Sequence, residues 1–549
     1  MIRKLIITTL CGVLLFGGSR QIQAQPSTAK TETSPAETKF NEGETAKAKG
    51  DLEKALQLYQ EAFEIDPEYI EPHLGFIMTK RSLASRQTEA DRKKGIEYPE
   101  PAFQRANREM IAFYKKKIEE KPTIVAYYYA VGRLNDCCEL PTAIQFYKKS
   151  LELNPKLIRA YDSLADLSWR VANFTENRDY QKKAFEVDTN SAERFYRYAM
   201  AEILLDKSKG RKLLRQIADR FPKDEYAVFA MGSEAESYED EKGRIKVLEE
   251  MRSRFAGSKA IGFPYRMSML YTIYARHDTQ KAYNLANEIL KQKPEDKEWK
   301  THYEYAKNIL EAKRLLQANN HAEAFKLLEK TKPLHFGIDV AELNILKAKA
   351  VQDDMKAYKT LIDSLIQFPN VKLEKALNSY GKKLGKSAAT VGDDLWQARV
   401  GKSKPFKEFD LSVFPLEQKR QISLKSLRNK VVLVNFWFPG CRFCRDEFPY
   451  FETMLKKYRA RGFEIIGINF VPDEDNQVMI FINQTRSNWI PLKTPGPKWA
   501  RDNYGVFAAP TNFLLDGEGR IIFQPIIRDD YSARTTERQI ELLLDRLTK

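Results

Sequence analysis

A helical spacing that recurs in the first 390 residues of this 549-residue chain constrains its fold more than any other feature. An alanine is followed four residues later by a bulky residue, three further on by a small one, and five further on by proline. Small residues on one helix face let a neighbouring helix approach closely, the bulky residue fills the gap, and proline ends the helix. The two tight copies and one looser copy are Ala55, Tyr59, Ala62 and Pro67; Ala143, Tyr147, Ser150 and Pro155; and Ala282, Ala286, Ile289 and Pro294.

This spacing resembles the second helix of a tetratricopeptide (TPR) repeat. "AYYYAVGRL" supplies the Tyr and Gly of a first helix, although its spacing is one residue short, and residues 160–174 resemble the first helix of a further repeat. We therefore predict an all-α TPR-like solenoid over residues 40–390, which would bind a protein or peptide on its concave face. The alternative is a helical domain with chance Ala-Tyr-Ala spacing. The five histidines are scattered, so each is predicted to be an ordinary surface or core residue.

The N-terminus has the pattern of an export signal. "MIRK" is a positive segment, an apolar stretch follows, and Ala24 is a plausible cleavage position. We predict a signal peptide over residues 1–24 and a flexible leader rich in Ser, Thr, Pro and Ala over residues 25–39. The predicted location is the periplasm, or the outer face of a membrane if the segment stays as an anchor.

The net charge of +16 comes from 91 Lys and Arg against 75 Asp and Glu. Basic and acidic residues alternate along the predicted helices, and no basic stripe interleaved with aromatic residues marks a nucleic-acid site. A solvated surface is the simple interpretation, and attraction to an anionic membrane or acidic partner is the alternative. No nucleic-acid partner is predicted.

The pattern changes after residue 395. Val431–Trp437 is a continuous apolar run typical of a buried strand, and helical periodicity follows it to Gly462. Further segments extend the order to β-α-β-α-β-β-α, which predicts an α/β domain over residues 400–549. The chain is therefore predicted to be multidomain, an all-α solenoid followed by this domain.

Cys441 and Cys444 lie where the first predicted strand gives way to a helix. Unpaired N–H groups and the helix dipole favour an anion there, so the pKa of a thiol at position 441 should fall. Arg442 and Arg445 would act in the same direction. Cys444 is near enough to attack a mixed disulfide formed at Cys441, as thiol–disulfide exchange requires.

Other uses of this pair fit the sequence less well. Zinc usually takes four ligands, and residues 400–549 contain no second C-x-x-C and no histidine, so no metal is predicted. A peroxidatic cysteine would need a Thr or Ser just upstream, and "VNFWFPGC" has none. A purely structural disulfide would close too small a ring to stabilise the fold much.

Residues 400–549 resemble a thioredoxin-fold domain of the TlpA/ResA class of extracytoplasmic thiol–disulfide oxidoreductases, adjoining the redoxin family. "VVLVNFW", the C-x-x-C, "EFP", "EIIGINF" and "APTNFLLDGEGRII" carry the resemblance. It implies Cys441 as nucleophile, Cys444 as resolving thiol and a redox-active Cys441–Cys444 disulfide in place of any bound cofactor. It also implies that Glu447 places a carboxylate near the thiols; the alternative is that Glu447 is an exposed helix residue. For substrate contact it implies Ala509, cis-Pro510 and Trp437.

Two hypotheses follow. In the first, the chain is an exported thiol–disulfide oxidoreductase, by resemblance a reductase, whose TPR-like region recruits protein substrates and which takes electrons from a membrane or periplasmic donor. In the second, the helical region is a scaffold and the C-terminal domain is redox-inert or only tethers partners. The pair Cys137–Cys138 is predicted to fill a helix-turn position, with a second redox centre as the alternative.

Overall fold

The computed structural model describes residues 33–93, 102–136, 139–260, 262–333, 340–366, 369–525, 527 and 530–547. The predicted signal peptide (1–24), residues 25–32 of the predicted leader and Cys137–Cys138 lie outside these residues. The chain divides into two compact units at Pro155/Lys156. Among the described helices, none has the length and apolar character that a membrane crossing requires.

The first unit contains six described helices, and its small residues explain how they pack. Tyr59 is fully buried, and a Cβ added at Gly43 or Gly75 would lie 2.7 or 2.9 Å from its ring. Gly132 and Tyr147 repeat the arrangement at 2.6 Å, so "AYYYAVGRL" does belong to a first helix. The helices are α1 (Pro35–Ala48), α2 (Leu52–Ile65), α3 (Ile70–Lys93), α4 (Ala102–Glu120), α5 (Val125–Asn135) and α6 (Leu140–Leu153).

Helix α1 begins inside the segment predicted as a flexible leader, which corrects the prediction for residues 35–39. Ser34 caps the helix by accepting the N–H of Glu37 at 3.1 Å, and Pro35 takes the first helical position, where its missing N–H costs nothing. Composition alone pointed to a loop because these are also turn residues.

The second unit continues with helices, many of them capped by an Asp, Asn or Ser side chain that accepts a first-turn N–H. They are α7 (Ile158–Arg170), α8 (Phe174–Val187), α9 (Ala192–Ile203), α10 (Lys207–Arg220), α11 (Glu225–Glu236), α12 (Glu241–Arg254), α13 (Gly262–His277), α14 (Thr279–Gln292), α15 (Lys297–Gln317), α16 (His321–Lys330), α17 (Val340–Ala350), α18 (Asp354–Leu365), α19 (Val371–Lys383) and α20 (Ala388–Lys402).

The C-terminal domain follows α20 and is built on a mixed sheet of order β1-β8-β7-β4-β5-β6, with β2 and β3 as a separate hairpin. β5 runs parallel to its neighbours β4 and β6, and β7 runs antiparallel to β4. Its elements are β1 (Lys404–Pro405), β2 (Asp410–Ser412), β3 (Gln421–Ser423), β4 (Val431–Trp437), α21 (Arg442–Tyr458), β5 (Phe463–Asn469), α22 (Asp475–Thr485), β6 (Ile490–Lys493), α23 (Pro497–Tyr504), β7 (Thr511–Leu515), β8 (Arg520–Phe523) and α24 (Asp530–Leu547).

Every residue of β4 is buried, as the apolar run predicted. Side chains alternate between the two faces of a strand. Leu433 and Trp437 join the core formed with α21 and α24, whereas Val434 and Phe436 join the core on the other face. The predicted order lacked β6, which contains Pro491, and β1, which contains Pro405. Both are edge strands, where proline is tolerated but masks the strand pattern.

Candidate active site

Cys441 is the residue that caps α21, four residues beyond the end of β4. Its Sγ accepts the N–H of Cys444 at 3.1 Å, and the two sulfurs form a disulfide with 5.3 Å between the Cα atoms. Cys441 keeps 4% of its surface exposed and Cys444 keeps none. The pair therefore lies at the positive end of a helix, where an anionic sulfur is favoured.

The Ala509–Pro510 peptide bond, which immediately precedes β7, is cis. Because β7 pairs antiparallel with β4, placing Thr511 opposite Phe436, the start of β7 lies at the end of β4 that leads to Cys441. Ala509 packs against the apolar cluster that contains both cysteines. The topology thus brings together two segments that are far apart in the sequence.

Glu447 is only 2% exposed, so the alternative of an exposed helix residue is wrong. Its carboxylate accepts hydrogen bonds from Nδ2 of Asn512 at 2.9 Å and from Nδ2 of Asn435 at 3.3 Å. Nδ2 of Asn435 also donates to Oδ1 of Asn512 at 2.8 Å. Asn435 and Asn512 are paired across β4 and β7. The two amides hold a buried carboxylate one turn along α21 from Cys444. The sequence analysis pointed to Glu447 but not to Asn512.

Trp437, predicted to contact substrate, is fully buried. Its indole packs on Phe448, Phe481 and Trp489, with ring centroids 4.8 to 5.4 Å apart. The family resemblance implied substrate contact for this residue, whereas the alternation of β4 directs its side chain into the core. Trp437 supports the site from beneath and does not reach a substrate.

Glu474, which sequence reasoning missed, reaches the loop before the cysteines. Its carboxylate accepts the N–H of Gly440 at 2.7 Å, and burial raises its pKa, against the opposing effect of nearby Arg170 and Arg445. A Cβ at Gly440 would lie 3.1 Å from both Glu474 oxygens, so a larger residue there would have to shift this carboxylate. The acidic run after β5 was the only signal in the sequence.

Arg445 makes contacts other than those expected. The residue is 7% exposed. Its guanidinium donates to the carbonyl of Pro439, with Nε 3.0 Å from the oxygen, and to the carbonyls of Trp169 and Arg170. Burial lowers its pKa to about 9. It therefore ties the cysteine loop to the turn between α7 and α8. The side chain of Arg442 lies outside the described part of the chain.

Comparisons with known proteins agree with this geometry. Residues 403–524 match the AhpC/TSA family and residues 36–69 match a tetratricopeptide repeat. Thiol-disulfide oxidoreductase ResA of Bacillus thuringiensis is 33% identical over 155 residues, which are 28% of this chain and 82% of that protein. The ResA of Bacillus subtilis is 32% identical over 125 residues, 22% of this chain and 69% of that protein.

Among solved structures, the thioredoxin domain of a thiol-disulfide oxidoreductase from Bacteroides vulgatus is 25% identical, with a TM-score of 0.23, over 25% of this chain and 96% of that one. The family match, the ResA relatives and the disulfide at the start of α21 define the C-terminal domain as thioredoxin-like, and the repeat match defines residues 36–69 as TPR-type helices. On the likeness to the ResA proteins, the chain belongs to the ResA-like family of thiol–disulfide oxidoreductases.

Proposed function

We propose that the Cys441–Cys444 pair is the redox centre of an exported enzyme that reduces disulfides in other proteins. The observation that carries the proposal is the disulfide at the start of α21, with Cys441 Sγ accepting a helix N–H and the cis Ala509–Pro510 bond at the same end of the sheet. Helix N–H groups stabilise a thiolate, which is the form that attacks disulfides.

The reaction is a pair of exchanges. The thiolate of reduced Cys441 attacks one sulfur of a substrate disulfide, which breaks the substrate S–S bond, forms a mixed disulfide and releases a substrate thiolate that takes up a proton. Cys444 then loses its proton and attacks Cys441 Sγ, which releases the second substrate thiolate and leaves the disulfide seen here. The substrate gains two electrons and the pair loses two. A dithiol donor at the membrane or in the periplasm would restore the reduced pair.

Glu447 is the proposed proton carrier for Cys444. Its buried carboxylate, held by two amide donors, lies on the same helix, three residues beyond the second cysteine. The amide of Ala509 and the cis-proline are proposed to face the substrate segment. The TPR-type helices would recruit protein partners, and the export signal in the sequence supports a periplasmic or membrane-associated location.

One observation favours the scaffold hypothesis instead, namely that Cys441 is only 4% exposed. The two functions differ in a direct assay. Dithiothreitol-driven insulin reduction should be catalysed by the wild type and lost in Cys441→Ser, whereas Cys137→Ser serves as a control for the other thiols. Equal rates for the wild type and Cys441→Ser would leave the scaffold as the function.

The trapping variant tests the substrate class. Cys444→Ser cannot resolve the mixed disulfide, so it should accumulate adducts that diagonal gels separate from a cell extract, and Cys441→Ser should not. Absence of adducts would argue against protein substrates. The reduction potential of the pair decides direction, since a strongly negative value fits a reductase and a value near those of known oxidants fits an oxidase.

A further inference from the structure

The turn between α7 and α8, residues 169–174, lies against the redox motif, and we call it the α7–α8 turn. Nη2 of Arg445 donates to the Arg170 carbonyl at 2.9 Å, and a second N–H of the guanidinium donates to the carbonyl of Trp169. The guanidinium also sits over the Trp169 indole, 4.6 Å from its centroid. Arg445 is 275 residues from Arg170 and 276 residues from Trp169 along the sequence.

The apolar side of the α7–α8 turn belongs to the same buried cluster as the cysteines. Ala172 is 4% exposed and lies in that cluster with Cys441 and Cys444, and Phe174 packs against it. The rings of Phe174 and Trp169 are 5.6 Å apart. Ala172 has φ of +57°, a left-handed conformation that favours glycine, so tertiary packing holds the turn in this shape.

The same guanidinium connects the α7–α8 turn to the nucleophile. Besides the two carbonyls of the turn, Arg445 binds the carbonyl of Pro439, two residues before Cys441. It also lies 5.1 Å from the centroid of Phe481 in the thioredoxin-like core. One buried cation therefore fixes the position of the turn relative to the loop that carries the first cysteine.

We propose that the α7–α8 turn is a specificity-determining wall of the active site. Resting on the proposed function, this assigns to the enzyme a substrate class: small disulfides and exposed disulfides of small or unfolded polypeptides, insulin included, reach Cys441 Sγ, and disulfides enclosed within larger compact folded proteins do not. The physical reason is access, because exchange requires a substrate sulfur to approach the attacking sulfur directly. Cys441 has 4% of its surface exposed and shares its buried cluster with Ala172 of the turn, so in this proposal a bulky partner meets the turn as it approaches the sulfur.

The test compares substrates of different bulk on the full-length chain. Reduced wild type and variants are reacted with oxidised glutathione and with a folded protein disulfide, native ribonuclease A, and the ratio of the two rate constants is measured. Trp169→Ala removes the indole under Arg445 and contact with Phe174, and should raise the ribonuclease-to-glutathione ratio about fivefold or more, because only the bulky substrate is limited by access. The glutathione rate should stay within about twofold.

Arg445→Met, which frees the α7–α8 turn from the cysteine loop, should raise the same ratio. Arg399→Met is its matched control. Arg399 is also buried, donates to the Leu365 carbonyl at 2.9 Å and lies over the Phe523 ring at 5.4 Å, but it fixes a different turn. The ribonuclease-to-glutathione ratio of Arg399→Met should equal that of the wild type. An unchanged ratio in both Trp169→Ala and Arg445→Met refutes the wall.

A second measurement uses only the wild type, so it does not depend on a variant folding correctly. In the reduced wild type, alkylation of Cys441 by N-ethylmaleimide and by a polyethylene-glycol maleimide is followed by peptide mass spectrometry, with the urea-unfolded chain as reference. The wall predicts that folding slows the large reagent at least about tenfold more than the small one. Equal slowing overturns the wall. If the wild type exchanges with neither disulfide, the proposed function fails, and alkylation still decides the wall separately.

Discussion

The buried carboxylate of Glu447 gives the sharpest prediction, because its two partners both donate. Its oxygens accept from Asn512 at 2.9 Å and from Asn435 at 3.3 Å. Glu447→Gln keeps the shape but replaces one acceptor oxygen by an N–H₂ group. At one of the two contacts a donor would then face a donor.

The expected cost follows from that mismatch. A buried donor left without an acceptor costs about 1–3 kcal/mol, and removal of a buried charge offsets part of this, so the net loss should be about 1–2 kcal/mol. Glu452→Gln is the matched control on the same helix. Glu452 is more exposed and accepts two bonds from Asn488 at 2.9 Å, which water can replace, so its change should stay within about 0.5 kcal/mol.

The activity change separates a proton carrier from a structural group. If Glu447 moves the proton of Cys444, insulin reduction should fall about 10²-fold in Glu447→Gln, because the amide cannot accept that proton. Urea unfolding gives the stability and the insulin assay gives the rate. Full activity in a folded variant would refute the proton role, and unchanged or greater stability would refute the hydrogen-bond argument.

Three further predictions concern packing and pH. Gly467→Ala should destabilise the C-terminal domain by about 1–3 kcal/mol in urea unfolding, because the new Cβ would lie 2.3 Å from the Trp489 ring. Burial lowers the pKa of His73 from 6.5 to about 4, so between these two pH values His73 takes up a proton in the unfolded chain but not in the folded one. The first unit should therefore lose up to roughly 3 kcal/mol as pH falls through that range, and His73→Gln should lose less. Burial raises the pKa of Glu474, so Glu474→Gln should gain stability relative to wild type as pH rises above 4.5.

Each of these predictions has a control or a contradicting result. Gly401→Ala, with no atom within 4 Å of the new Cβ, should be neutral or stabilising by up to about 1 kcal/mol, and a loss there would show that the Gly467 result is not steric. Identical pH slopes for the wild type and His73→Gln would exclude His73 as the source of acid sensitivity. A relative loss of stability in Glu474→Gln with rising pH would show that the arginines outweigh burial.

Much of the helical part was predictable because its determinants are local. The small-aromatic-small spacing around Tyr59 and Tyr147 reports helix–helix approach, and both rings are indeed fully buried. A buried strand followed by a helix likewise placed Cys441 at a helix start. The edge strands with Pro405 and Pro491 escaped prediction, since proline disrupts the local pattern that identifies a strand.

The sequence by itself determined the two kinds of domain, the position of the cysteine pair and its likeness to the redoxins, because these depend on residues close together along the chain. Only the tertiary structure decided that Trp437 is core, that Asn512 shares a network with Glu447, and that Arg445 holds the α7–α8 turn. The physical reason is that burial and hydrogen bonding at these positions are set by elements up to 276 residues away in the sequence, which local periodicity cannot reveal.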